Sequence, residues 1–140
     1  MILDTNVISE FVAPMPSTAV VDWFSAVPEG AIYIPAVVKA EILLGIDLLP
    51  DGRRKSILET FVKNFLLPYE QGRILPFENA DTACYARIVS GRKRMGRPLT
   101  GVDAQIAAIA FRRGLPIATR NIRDFADCGV TLINPWDPAP

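Results

Sequence analysis

Short runs of apolar residues alternate along the chain with longer segments in which apolar positions recur every three or four residues. The short runs predict buried β-strands, and the longer segments predict amphipathic helices. Strands at 1–3, 31–34, 73–75, 116–119 and 130–133 alternate with helices at 5–11, 17–27, 35–49, 53–67, 78–95 and 100–113, and with a turn or short helix at 121–125. This alternation predicts an α/β fold with a five-stranded, mainly parallel sheet flanked by helices on both faces.

Capping residues and prolines set the expected helix boundaries. Pro35 is predicted at the first position of the third helix, where its missing N–H costs little. Thr100 is predicted to cap the sixth helix, and Gly114 to follow its last turn. With 140 residues and no repeat or low-complexity segment, the chain fits a single domain over 1–140.

The composition excludes several kinds of chemistry. The sequence has no histidine, so a Ser-His-Asp triad, a Cys-His pair and a histidine general base are ruled out. Its two cysteines, Cys84 and Cys128, are too far apart in sequence for a CxxC pair and too few for a four-cysteine zinc site. Lysine plus arginine and aspartate plus glutamate each number 15, so net charge gives no indication of a nucleic-acid partner. A hydrolase built from this chain must therefore rely on carboxylates and a hard cation.

The chain is expected to be cytoplasmic. Asp4 interrupts the first apolar run, so no signal peptide is predicted, and no apolar stretch is long enough for a transmembrane helix. Two cysteines without an evident pairing pattern favour a reducing compartment.

Three acids are candidates for the functional site, because ligands of parallel α/β folds bind beyond the carboxyl ends of the strands. Asp4 closes the first strand, and Asp103 lies in the first turn of the sixth helix. Each has a structural alternative as a helix cap, Asp103 in a capping box with Thr100.

Glu41 is the third candidate. Its helical neighbours Val37, Val38, Leu44 and Leu48 predict that it lies within a core-facing stripe, where an unpaired carboxylate would be costly. Glu41 is therefore expected to bind either a basic side chain or a cation. Together, the three acids would repel one another unless a cation such as Mg²⁺ or Mn²⁺ were bound among them.

Three further polar residues lie near the same predicted edge. Asn6 follows Asp4 by two residues and is expected to orient a carboxylate or a water. Asn121 follows the fourth strand, and Asp124 lies one turn later. For Asn121 and Asp124, a turn followed by a helix start is the structural alternative.

Four segments resemble the PIN-domain family, in particular the VapC and FitB group of toxin–antitoxin ribonucleases. They are Leu3-Asp4-Thr5-Asn6-Val7-Ile8-Ser9-Glu10, Ala40-Glu41-Ile42-Leu43-Leu44-Gly45, Asp103-Ala104-Gln105-Ile106-Ala107-Ala108 and Ala118-Thr119-Arg120-Asn121, and the closing Asn134-Pro135-Trp136 is FitB-like. The similarity extends over essentially the whole chain.

This resemblance implies a Mg²⁺- or Mn²⁺-dependent endoribonuclease that hydrolyses RNA with an activated water. It implies metal binding by Asp4, Glu41 and Asp103, a homodimer, and a cognate antitoxin whose complex with the chain can bind operator DNA. A fourth family acid corresponds here to Asn121, so Asn121 or Asp124 would complete the site. The helices 35–49 and 53–67 would match the family's antitoxin-facing and dimer-facing hairpin.

Two other functions have to be compared with a nuclease. A haloacid-dehalogenase-like phosphatase also has an aspartate after its first strand, but its second aspartate would fall at Asn6. A PIN-fold module that binds nucleic acid or antitoxin with weak or no nuclease activity is the main alternative, because the fourth acid is missing.

Overall fold

The computed structural model describes residues 1–99 and 101–137, in which strands and helices alternate. The strands are β1 (Ile2–Leu3), β2 (Ile34–Pro35), β3 (Ile74–Leu75), β4 (Ile117–Ala118) and β5 (Leu132–Ile133). The helices are α1 (Thr5–Glu10), α2 (Thr18–Ala26), α3 (Ala36–Asp47), α4 (Arg53–Leu66), α5 (Thr82–Arg94), α6 (Gly101–Arg113) and α7 (Ile122–Phe125). The predicted order of elements is confirmed.

The five strands lie side by side in the order β3-β2-β1-β4-β5. Strands β1, β4 and β5 form one parallel set, and β2 and β3 form another. A parallel bridge between Ile2 and Tyr33 joins the two sets, with hydrogen bonds from Leu3 N to Tyr33 O (3.1 Å) and from Tyr33 N to Met1 O (2.8 Å). The central strand β1 therefore has neighbours on both sides.

The central strands are covered on both faces of the sheet. Ile2 and Leu3 point to opposite faces, because successive side chains of a strand alternate, and both have no exposed surface. The same holds for Ile117 and Ala118 on β4, whereas the edge strands β3 and β5 are only half-buried. This burial explains why β1 and β4 are continuous apolar runs rather than alternating ones.

Several predicted boundaries were wrong by a turn or less. Ala31, assigned to the second strand, ends a short 3-10 turn (Glu29–Ala31), and the strand runs one residue further, to Pro35. Pro35 therefore precedes α3 as its N-cap rather than starting the helix. Gly114 follows the last turn of α6, as predicted, and its φ of 62° lies in the left-handed region that glycine favours. The proposed cap at Thr100 lies outside the described residues.

The predicted helix 78–95 starts with a 3-10 turn (Asn79–Asp81) that anchors α5 to α6. Asp81 is fully buried, and its Oδ1 accepts hydrogen bonds from Arg112 Nε (2.5 Å) and Arg113 Nη1 (3.0 Å). Its Oδ2 accepts one from Glu78 N (2.8 Å). Burial by itself would raise the pKa of Asp81, but the hydrogen bonds from Arg112 and Glu78 and the charges of Arg113 and Arg112 outweigh it and lower the pKa.

None of the helices in the described ranges combines the length and the apolarity needed to span a membrane.

The Asp81 network gives a test of what holds α5 against α6. We expect Asp81→Asn to destabilise the protein by about 1–3 kcal/mol at pH 7, because the buried side chain loses its charge and with it the ion pairs to Arg112 and Arg113. Since folding lowers the pKa of Asp81, its contribution is present above the unfolded-state value of 3.8 and is lost as the pH falls below it. Thermal unfolding across pH measures both effects.

Asp51→Asn is the matched control for this experiment. Asp51 is fully exposed and pairs with Lys55 at 3.5 Å, so its removal is expected to leave the melting temperature unchanged. Equal melting temperatures for Asp81→Asn and Asp51→Asn would contradict a stabilising role for the network.

Candidate active site

The candidate site lies at the point in the sheet where the strand order reverses. From β1 the chain proceeds outward through β2 to β3, and it then returns to place β4 and β5 on the other side of β1. The carboxyl ends of β1 and β4 therefore border the crevice in which such folds bind ligands. Asp4 follows β1 and Thr119 follows β4, and Asp4 N donates to Ala118 O at 3.0 Å.

Asp4 is a buried carboxylate with a defined orientation. Asp4 is 6% exposed, and its side chain accepts three hydrogen bonds of 2.7 Å each. Thr5 N donates to Oδ1, and Asn6 Nδ2 and Thr119 Oγ1 donate to Oδ2. Asp4 is also the N-cap of α1, so the predicted capping role is present. The predicted role of Asn6 in orienting a carboxylate is confirmed.

Thr119 connects the two sides of the crevice. Its hydroxyl donates to Asp4 and accepts hydrogen bonds from Asn6 Nδ2 (3.2 Å) and Asn121 N (3.0 Å). The residue has no exposed surface. Sequence reasoning did not single out Thr119 as a site residue, although a polar residue that closes a buried strand was the signal used for Asp4.

Glu41 is not in the core-facing stripe that the sequence predicted. Glu41 is exposed, and the buried residues of α3 are Val38, Ile42 and Ile46. Leu44 and Leu48, placed beside Glu41 in the predicted stripe, are 58% and 76% exposed. Because α3 carries apolar residues around most of its circumference, their spacing does not reveal which face is buried.

The position of Glu41 on α3 nevertheless directs its side chain to the crevice. The hydroxyl of Thr5, the residue after Asp4, donates a hydrogen bond to Glu41 Oε2. The predicted requirement for a basic partner or a cation does not apply to a carboxylate that reaches solvent. Thr5 is a second contact that sequence reasoning missed.

Asp103 lies in the first turn of α6 and is half-buried. Ile106, Ala107 and Ala110, predicted to share its face, are fully buried, so this part of the prediction is confirmed. Asp103 has interaction partners within the fold, and the negative charge of its carboxylate is close enough to raise the pKa of Asp4.

The three acids are thus electrostatically coupled through Asp4. Burial raises the pKa of the Asp4 carboxyl, the hydrogen bonds from Thr119 and Thr5 oppose this rise, and the negative charges of Asp103 and Glu41 add to it. A carboxylate in this position would be stabilised in its ionised form by a cation nearby.

Asn121 and Asp124 are exposed and contact the site through the main chain. Asn121 N donates to Thr119 Oγ1, and Asp124 N donates to Asn121 O at 3.0 Å. Neither side chain has a hydrogen bond to Asp4, Glu41 or any other residue in the described part of the chain. Both residues line a surface cavity beside the site, together with Arg120 and Arg123.

The donor set fits a hard divalent cation without forming a complete cage. In residues 1–99 and 101–137, no group of three or more acidic, cysteine or histidine side chains is arranged to hold a metal ion by itself. Mg²⁺ typically keeps several waters and uses only one or two protein carboxylates. Asp4, with Glu41 or Asp103, would supply ligands of that kind.

The raised pKa of Asp4 predicts how its removal affects stability. Between the unfolded-state value of 3.8 and the higher pKa in the folded protein, the folded state binds more protons, so stability falls as the pH rises through this interval. We expect the melting temperature of metal-free Asp4→Asn to rise relative to that of wild type between about pH 3 and pH 7, because the variant has no carboxyl group to ionise at this position. Thermal melts at several pH values measure this difference in melting temperature. A wild type that gains stability relative to the variant between pH 3 and pH 7 would contradict the expected sign.

Comparison with known proteins identifies the family. The model of the PIN domain matches residues 1–129. Toxin FitB of Neisseria gonorrhoeae is 39% identical over 97% of this chain and 98% of its own length. VapC ribonuclease Y4jK of Sinorhizobium fredii is 36% identical over 99% of both chains.

The solved structures agree with the sequence comparison. A structure described as FitAB bound to an IR36 DNA fragment superposes with a TM-score of 0.94, at 37% identity, over 99% of this chain and 97% of that one. Fold, sequence and the acids at the carboxyl ends of the strands lead to one conclusion: the chain belongs to the PIN domain family.

Proposed function

We propose that this PIN-domain protein is an endoribonuclease that uses Mg²⁺ or Mn²⁺, and that it is the toxin of a type II toxin–antitoxin system. The observation that carries the proposal is the buried Asp4 carboxylate, which is fixed by three hydrogen bonds and coupled to Glu41 and Asp103. The relatives that match almost the entire chain, a ribonuclease and a toxin, support the same function.

Each acid has a distinct part in this proposal. Asp4 is the most constrained ligand of the cation, because Thr119, Asn6 and the Thr5 N–H leave its oxygens little freedom to rotate. Glu41 is the more mobile ligand, held by the Thr5 hydroxyl at the solvent edge. Asp103 contributes negative charge from α6. A divalent cation bound here would polarise a phosphodiester and lower the pKa of a water.

The chain's own residues can then align substrate and water. With no histidine in the sequence, a proton leaving the water has to pass to a carboxylate or to solvent. Glu41 reaches solvent and is suited to accept it. Asn121, at the fourth family position, would act through its side-chain amide on a water or a phosphate oxygen rather than as a charged ligand, and Asp124 lies one turn later.

An exposed apolar surface supports the proposed antitoxin partner. Leu43, Leu44 and Leu48 of α3 are 47%, 58% and 76% exposed, and a surface cavity of about 620 Å³ is lined by this helix and α4. Leu67, at 65% exposure directly after α4, also lines this cavity. Apolar surface of this kind marks protein–protein contacts.

Three apolar residues of α4 differ in their availability to a partner. Phe61 is 37% exposed and is available, whereas Leu66 is 3% exposed and belongs to the core. Phe65 is half-buried among the rings of Phe11, Phe24 and Phe61. The solved FitAB complex with DNA supports an antitoxin partner whose complex with this chain binds operator DNA. We further propose a homodimer and a cytoplasmic location, the latter consistent with two free thiols, Cys84 and Cys128.

Cleavage of RNA by the purified protein tests the proposal. With Mn²⁺ and a pool of structured and unstructured RNA, we expect wild type to cleave and Asp4→Asn or Asp103→Asn to lose about 100-fold or more of the rate, because a charged ligand is removed. Asp51→Asn, on a fully exposed side chain, is the control and is expected to cleave as wild type does.

Metal binding is measured separately by thermal shift. Mn²⁺ is expected to raise the melting temperature of wild type and Asp51→Asn, because a ligand that binds only the folded state stabilises it, and to have less effect on Asp4→Asn. Equal cleavage by wild type and Asp4→Asn would indicate a contaminating nuclease. Metal binding without cleavage by any protein would refute the nuclease and favour a PIN-fold binding module.

A further inference from the structure

A surface cavity of about 380 Å³ adjoins the acidic site and has a different chemical character. It is lined by Arg120, Asn121, Ile122, Arg123, Asp124 and Asn134. Asn121 belongs both to this lining and to the hydrogen-bond network of Asp4, through its N–H to the Thr119 hydroxyl. The cavity therefore borders the acidic crevice at Asn121, and it contains two arginines.

Arg120 is held through both its main chain and its side chain. Its main-chain N donates to Asn6 Oδ1 at 3.1 Å, and Asn6 in turn donates to Asp4 Oδ2. Its guanidinium lies over the ring of Trp136, 5.3 Å from the ring centroid. Stacking of this kind reduces the freedom of the arginine while leaving its N–H donors at the edge of the plane available.

The main chain of Trp136 is held by Asn134, a residue of the cavity wall. Asn134 Oδ1 accepts a hydrogen bond from Trp136 N at 3.1 Å, and Asn134 O accepts one from Asp137 N at 3.2 Å. These bonds form a tight turn directly after β5. The cation–π pair is thus built on a turn fixed by a residue of the cavity, rather than on an isolated surface side chain.

The charges in the cavity favour an anion. Arg120 and Arg123 supply two positive charges against one negative charge, from Asp124. Among the residues that the structure describes, neither arginine forms an ion pair, so both guanidinium charges are available to a ligand. Guanidinium groups match the geometry of phosphate oxygens.

A basic subsite also answers an electrostatic difficulty of the acidic site. The carboxylates of Asp4, Glu41 and Asp103 repel a polyanion, and the chain as a whole has no net charge to attract one. Binding of a nucleic-acid backbone beside them therefore needs local cations.

We propose that this cavity is a phosphodiester-binding subsite for single-stranded RNA, in which Arg120 and Arg123 contact a backbone phosphate next to the bond that is cleaved. The inference rests on the proposed ribonuclease function and adds to it the residues that hold the substrate. Trp136 acts as a positioning residue, because it fixes the guanidinium of Arg120.

Binding of RNA without cleavage tests the subsite. A fluorescein-labelled, unstructured RNA of about 12 nucleotides is titrated with protein in EDTA, and anisotropy is recorded at several salt concentrations. We expect Arg120→Gln and Arg123→Gln each to weaken binding about three- to tenfold and to lower the slope of log K against log salt by about 0.7. Asp124→Asn is expected to tighten binding, because it removes the negative charge of the cavity.

Arg53→Gln is the matched control. Arg53 is an exposed arginine at the start of α4, lines a different cavity, and is expected to change neither the affinity nor the slope. Trp136→Leu retains both arginines, so it is expected to weaken binding less than Arg120→Gln does and to keep the salt slope. Melting temperatures within a few degrees of wild type show that each variant is folded.

The outcomes separate the subsite from the nuclease. Wild-type affinity and slope in both arginine variants, an equal loss in Arg53→Gln, or no binding by wild type would each overturn the subsite. Cleavage by wild type in Mn²⁺ alongside any of these results would leave the proposed function intact. Loss of RNA binding in the two arginine variants, with no cleavage by wild type in Mn²⁺, would support the subsite and overturn the nuclease.

Discussion

The burial of one carboxylate at the end of the central strand is the constraint on which the site depends. Asp4 follows β1, which has β2 on one side and β4 on the other, so its side chain cannot avoid the crevice between them. Burial without partners would cost several kcal/mol. Three hydrogen bonds, from the main chain of α1 and from side chains on both sides of the crevice, offset this cost. The same bonds fix the direction of the carboxylate.

This arrangement links folding directly to chemistry. Thr119 contacts Asp4 only if β4 is in register with β1, where Leu3 is paired with Ala118. The like charges of Asp103 and Glu41 make the ionised form of Asp4 less stable, and a cation would reverse that effect. The raised pKa of Asp4 therefore costs some stability at neutral pH, as is common for ionisable groups at functional sites.

Helix α3 serves two surfaces at once. Val38, Ile42 and Ile46 attach it to the core, Glu41 contributes to the acidic crevice, and Leu44 and Leu48 face solvent. The exposed apolar residues therefore lie on the same helix as an acid of the crevice. If the proposed antitoxin occupies this apolar surface, it would lie within reach of the crevice, which would give a simple physical basis for inhibition.

The sequence by itself determined the order of the elements, the strands buried on both faces, and the acids at the ends of strands and the start of α6. These features follow from local apolar runs, from proline and glycine, and from the absence of histidine. Only the tertiary structure decided that Glu41 is exposed, that Thr119 and Thr5 hold the acids, and that Arg120 lies over Trp136. Residues 4 and 119, like 5 and 41, are far apart in sequence, and no local pattern records which side chains meet when parallel strands and helices pack. On α3, apolar residues surround most of the helix, so the choice of buried face came from the neighbours against which it packs.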